Sequence, residues 1–145
     1  MDGMTPQPSP TPNVAVLLTL AARRVREDLE AALGQEGLSL RYLSTLGHLQ
    51  REPGMSYSEL ARRAGITAQS MHATLTELER RGAVRKTTNP GRGKPSRHEL
   101  TSAGRDLLSR GLRQAAIVDD ALLSTVTSED HINLARLLAR LIPRD

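Results

Sequence analysis

Cysteine, phenylalanine and tryptophan are all absent from the 145 residues, and Tyr42 and Tyr57 are the only aromatic side chains. Without cysteine there is no disulfide framework, no thiolate metal ligand and no cysteine-based redox sensing within this chain. With two rings in total, the core has to be built from Leu, Val, Ile, Ala and Met, and base stacking on an aromatic platform has almost nothing to work with. Long hydrophobic runs are missing too. The one signal-like stretch, residues 14–22, has no basic segment before it, is too short to span a bilayer and continues directly into an amphipathic pattern. A cytoplasmic protein without a membrane segment is the expectation.

Acid is missing where base is densest. From Arg80 to His98 there are seven Arg or Lys and no Asp or Glu. The formal charge of +4 hides an uneven distribution: residues 51–113 hold 13 basic and 6 acidic side chains, a net of +7, and the rest of the chain holds 7 and 10, a net of −3. A block of this kind suits a polyanion.

Residues 1–12 carry four of the eight prolines and little to bury, which predicts a flexible arm. From Asn13, an N-cap residue, Val14, Leu17, Leu18, Ala21, Val25, Leu29 and Leu33 recur at spacings of three and four until Gly34 and Gly37 end a long helix. Ser39 caps a second helix with Leu40, Leu43, Leu46 and Leu49 inward and Pro53-Gly54 as its stop. Ser56 and Glu59 have capping-box spacing and open a third, short helix that reaches Gly65, a residue able to turn sharply into the next. Thr67 caps a fourth helix ending at Gly82. AVRKTT and SRHEL then read as two short strands joined by NPGRGKP, a β-hairpin wing. Thr101 caps a long fifth helix, and Thr127 with Asp130 opens a sixth.

The fold expected is mainly α with a small β-hairpin wing, a winged helix-turn-helix with long N- and C-terminal dimerisation helices. Residues 13–145 form one domain, with 13–37 and 101–143 as the dimerisation helices and 38–100 as the DNA-binding lobe. The first helix and the last two carry more apolar surface than one small winged lobe needs, which points to a homodimer; a monomer with these helices folded back is the competing arrangement.

On a helical wheel the fourth helix turns Ala68, Met71, Leu75 and Leu78 inward, with His72 nearer that side, and Gln69, Ala73, Thr76 and Arg80 outward. The N-terminal exposed residues of such a helix read base edges in the major groove, so Thr67, Gln69 and Ser70 are the expected readers, and Ala73 and Thr74 complete the candidate recognition surface. In the wing, Gly91 and Gly93 bracket Arg92, which can approach a narrow groove while Lys94 and Arg97 meet phosphates.

Enzymatic machinery is not signalled. Asp119-Asp120 and Glu129-Asp130 are adjacent pairs that diverge on a helix, and His48, His72, His98 and His131 lack the i, i+4 pairing of a zinc helix. No catalytic group, metal or cofactor is expected.

SYSELARRAGIT at the third helix, SMHATLTELERRGAV through the fourth and NPGRGKPSRHELTSAG through the wing resemble the multiple-antibiotic-resistance regulator (MarR) family of bacterial winged helix-turn-helix proteins, over nearly all of residues 13–143. The resemblance implies a homodimer joined through the first and last two helices and bound to a pseudo-palindromic operator in double-stranded DNA. It would act as a repressor released by a small molecule. It carries Thr67, Gln69 and Ser70 onto the family's reading positions and Arg92 or Lys94 onto its wing-tip cations. This chain departs from many members in having Arg92, Gly93 and Lys94 where they have an acid followed by two arginines, and Ala73 where they have arginine. The small-molecule effector of the family lies between the second helix, the DNA-binding lobe and the dimerisation helices, where Tyr42, His48 and Arg51 are the candidates here. The competing functions are a winged-helix module that binds protein and a ligand-independent DNA-binding protein of another winged-helix family.

Overall fold

A computed structural model describes residues 12–87 and 96–142. Six helices and three short strands follow one another as α1 (Val14–Gly34), α2 (Leu40–Arg51), β1 (Met55–Ser56), α3 (Tyr57–Ala64), α4 (Ala68–Arg80), β2 (Val84–Thr87), β3 (Arg97–Leu100), α5 (Ser102–Leu122) and α6 (Ser128–Leu141).

The helix starts lie where side-chain acceptors predicted them. Asn13, Ser39, Ser56, Thr67, Thr101 and Thr127 each accept from a backbone N–H of the first turn, satisfying donors that have no partner within the helix. At α3 the box is reciprocal. The Glu59 carboxylate accepts from Ser56 N–H at 2.7 Å while Ser56 Oγ accepts from Glu59 N–H at 3.3 Å. This exchange holds the Glu59 pKa below the ordinary carboxylate value. Gly65, at φ +65°, supplies the left-handed turn into α4.

The wing is a three-stranded antiparallel sheet in the order β1-β3-β2, not the two-stranded hairpin expected. β1 is two residues long, with Met55 opposite His98 and Ser56 opposite Arg97, so no alternation of polar and apolar residues announces it. The tip, with Arg92 and Lys94, lies outside the described residues, as does the arm up to residue 11.

Leu33, Leu46, Leu49, Leu60, Met71, Leu75 and Leu78 are fully enclosed and bring α1, α2, α3 and α4 together. Val84, Leu100, Leu107 and Leu108 extend the core under the sheet to α5. Gly104, in the first turn of α5, lets that helix lie directly on the wing root. A β-carbon there would stand 1.9 Å from the Ala83 carbonyl oxygen, which already accepts from Thr101 N–H at 3.1 Å.

The outer helices are a different matter. Val14, Val16, Leu17 and Leu20 of α1 and Ile132, Leu134, Leu137 and Leu141 of α6 are exposed, and α6 buries no residue within the described chain. No helix among the described residues is long and apolar enough to cross a membrane.

Candidate nucleic-acid interface

Helix α4 is held by one stripe. Met71, Thr74, Leu75 and Leu78 are buried, and Gln69, His72, Ala73, Thr76 and Arg80 are exposed. The wheel drawn from sequence was rotated by counting Ala68 among the inward residues. Ala68 is exposed, and the centre of the buried arc lies further towards Thr74. Two assignments change as a result. Thr74 is 3 % exposed and its hydroxyl donates to the Ser70 carbonyl at 2.9 Å, so it belongs to the core and not to the recognition surface. His72, expected near the buried side, stands on the outer face with its ring edge-on to Tyr57 of α3, centroids 6.0 Å apart.

The three expected readers are not equivalent. Thr67 Oγ1 accepts from Ser70 N–H at 3.1 Å and donates to Ser70 Oγ at 2.9 Å, so its only hydroxyl hydrogen is committed within the helix cap. Ser70 keeps its own hydroxyl hydrogen for an outside acceptor. Gln69 is exposed at the start of the helix, where an amide can both donate and accept.

The acid-free basic run is not acid-free in space. Arg80 donates to Glu77 at 2.7 and 2.8 Å, and Arg81 to the same carboxylate at 2.7 Å. These bonds, Arg80's first, lower the Glu77 pKa to about 2. Across the sheet Arg85 Nε donates to Glu99 at 2.7 Å. Lys86 and Arg97 lie 3.8 Å from Glu79 and Glu59, and Arg97 also donates to the Gly54 carbonyl at 2.7 Å. The carboxylates come from α3, from inside α4 and from the opposite strand, which a linear count of charges does not see.

At the wing root, His98 is 3 % exposed and its Nε2 lies 3.3 Å from Glu79. Burial holds its pKa below the ordinary imidazole value, against the pull of Glu79 and the Met55 backbone. The His98 ring therefore ties the sheet to α4 in its neutral form.

Of the three candidate pocket residues, His48 and Arg51 lie together and Tyr42 stands apart from them. Tyr42 lines a cleft of about 660 Å³ with Arg26 and Glu30 of α1, Arg41 and Ser44 of α2 and Ala73 of α4. Arg51 lies elsewhere, on a shallow groove between α2 and α5 bounded by Leu43, Leu108 and Leu112. His48 Nδ1 is 3.2 Å from Arg51 Nη2, and it lines neither cavity. Tyr42 separates from the other two because, at about 100° per residue, position 42 faces away from positions 48 and 51, which share one side of the helix. Arg26 and Glu30, one turn apart on α1, were overlooked beside the apolar stripe of that helix. Among the described residues no group of three or more His, Asp or Glu side chains could hold a metal ion.

Comparison with known proteins settles the family. Residues 36–94 match the family model described as MarR family. The HTH-type transcriptional repressor Rv2887 of Mycobacterium tuberculosis is 33 % identical over 117 residues, 81 % of this chain and 84 % of the relative. The chain belongs to the MarR family. Among solved structures, the M. tuberculosis MarR family protein in complex with DNA superposes with a TM-score of 0.80 at 31 % identity, covering 92 % of this chain and all of that one. The same protein in complex with salicylic acid gives a TM-score of 0.76 at 31 % identity, covering 92 % and 98 %. In this MarR-family chain the matched segment runs from the α1–α2 turn through α4 into the wing.

Proposed function

We propose that this protein is a homodimeric transcriptional repressor of the cytoplasm that binds a pseudo-palindromic operator and is released by a small molecule taken up in the Tyr42 cleft. The observation that carries the reading is the outward face of α4. Gln69, His72, Ala73 and Thr76 are exposed on a helix whose opposite stripe is locked into the core, which is how a major-groove reader is presented. Gln69 and Ser70 read bases, Thr67 holds the helix start, and Ala73 offers a methyl group only. Arg92 and Lys94 of the wing tip, with Arg97 at its base, contact the backbone of the flanking groove.

The apolar faces of α1 and α6, with Leu112, Ile117 and Leu122 of α5, are uncovered in the single chain, and a second copy buries them. Arg26 and Arg41 line the cleft beside Tyr42, a composition suited to an aromatic anion; the relative's complex with salicylic acid supports that ligand class.

Selection of bound fragments from random-sequence DNA, followed by mobility-shift titration, tests the reading. A two-fold symmetric sequence should be enriched and bound at least about a thousandfold tighter than bulk DNA at physiological salt. If no fragment is enriched, sequence-specific recognition is wrong. Salicylate should raise the protein concentration needed for the shift.

A further inference from the structure

The geometry points to Arg81 as a positioning residue that couples the Tyr42 cleft to the recognition helix. Arg81 is the C-cap of α4, at the point where the helix hands over to the wing through Gly82, at φ +71°. Its guanidinium makes three contacts that lead in three directions. Nε donates to Glu77 of α4 at 2.7 Å, Nη1 donates to the Gly37 carbonyl in the α1–α2 turn, and Cζ lies over the Tyr42 ring of α2, 5.0 Å from its centroid. Tyr42 in turn lines the cleft, with α1 on one side and α4 on the other.

A planar cation that stacks on one group while its edge bonds two others fixes distance and angle together, which an ammonium cannot do. A change in the Tyr42 ring position is therefore passed to the last turn of α4 and to the root of β2. The Arg81 side chain is about one-third exposed, so removing it does not open the core. The inference rests on the reading of α4 as the DNA-contacting helix and of the cleft as the effector site.

Two measurements test it, one of them without DNA. Hydrogen exchange of the free protein is followed over residues 77–83 in wild type, Tyr42→Leu, Arg81→Ala and the double variant. Tyr42→Leu should speed exchange there several-fold in the wild-type background and have no further effect when Arg81 is already alanine. Equal effects in both backgrounds overturn the proposal. With the selected DNA fragment, Arg81→Ala should weaken binding about five- to tenfold, with Tyr42→Leu adding little to it. Arg81→Lys should not restore affinity, because an ammonium keeps the charge but cannot meet Glu77, the Gly37 carbonyl and the Tyr42 ring together.

The salt dependence separates positioning from direct contact. Arg81→Ala should leave the slope of log K against log salt unchanged; a slope flattened by about one per protomer would make Arg81 a phosphate contact and refute the positioning role. A protein that selects no DNA would sink the proposed function, and the exchange experiment would still decide the coupling.

Discussion

Replacing Gly104 with alanine should be among the most damaging single-methyl changes in the chain. The added carbon would meet the Ala83 carbonyl oxygen at 1.9 Å and its carbon at 2.9 Å, both backbone atoms that no rotamer change can move aside. Reaching an ordinary contact requires α5 to back away from the wing root by roughly 1.5 Å. That movement strains the Thr101 N–H to Ala83 bond of 3.1 Å and the cap that Thr101 provides to Gly104 N–H at 3.0 Å. Overpacking of this kind costs about 1–3 kcal/mol, and weakening one buried backbone bond about 1 more. Thermal unfolding at fixed protein concentration should show Gly104→Ala lowering Tm by about 5–10 °C. Gly34→Ala is the matched control, since nothing lies within 4 Å of a β-carbon there, and it should be neutral or stabilise by about 0.5–1 kcal/mol. Equal effects of the two substitutions would refute the argument that close approach, rather than helix propensity, selects glycine at position 104.

Two other outcomes follow from the geometry of α4 and the wing root. Thr74→Val keeps the buried volume and should leave DNA discrimination within about twofold of wild type, whereas Gln69→Ala should lose about 1–3 kcal/mol of discrimination at one base pair; mobility shifts on single-base variants of the selected fragment measure both. His98 has its pKa depressed by burial, so its unfolded form takes up a proton before the folded one does. Its contribution to stability is complete above the ordinary imidazole value of about 6.5 and is lost as pH falls below it. Urea unfolding between pH 7.5 and 5 should show that loss, and His98→Gln should flatten it. Glu59 and Glu77, whose pKa values are lowered, contribute their own loss only as pH falls below the ordinary carboxylate value.

Helix starts were legible because each rests on one side chain and one backbone N–H a few residues away: Asn13, Ser39, Ser56, Thr67, Thr101 and Thr127 all cap where they were read. The order of helices and wing followed from the same local signals. Met71, Leu75 and Leu78 face inward as read, and what failed were finer orientations and contacts with distant partners. The arc of α4 was misplaced because alanine at position 68 is compatible with either face, and that error put Thr74 on the recognition surface and His72 nearer the buried edge. β1 escaped because two residues have no period. Tyr42, His48 and Arg51 were grouped by helix, whereas the cleft is closed by Arg26 and Glu30 of α1 and Ala73 of α4, far away in sequence.

The pairing of the basic block has a consequence for DNA binding that can be measured. If all seven Arg and Lys residues between positions 80 and 98 neutralised phosphates, a dimer would place fourteen cations on DNA and log K would fall with log salt at a slope of about −13. Arg80, Arg81 and Arg85 are held by Glu77 and Glu99, and Lys86 and Arg97 lie more loosely beside Glu79 and Glu59. A cation already facing a carboxylate releases little counterion when it meets a phosphate. If Arg92, Lys94 and Arg97 carry the phosphate contacts, six cations per dimer predict a slope of about −5. Titration of the selected fragment between 50 and 300 mM salt, where each unit of slope changes K by about 0.8 of a decade, resolves the two. Arg85→Ala should leave that slope unchanged, and Arg92→Ala should flatten it by about two. A wild-type slope steeper than about −8 would mean that the carboxylates of α4 and β3 give up their arginines on the operator, and that the charge run acts in DNA binding as it stands in the sequence.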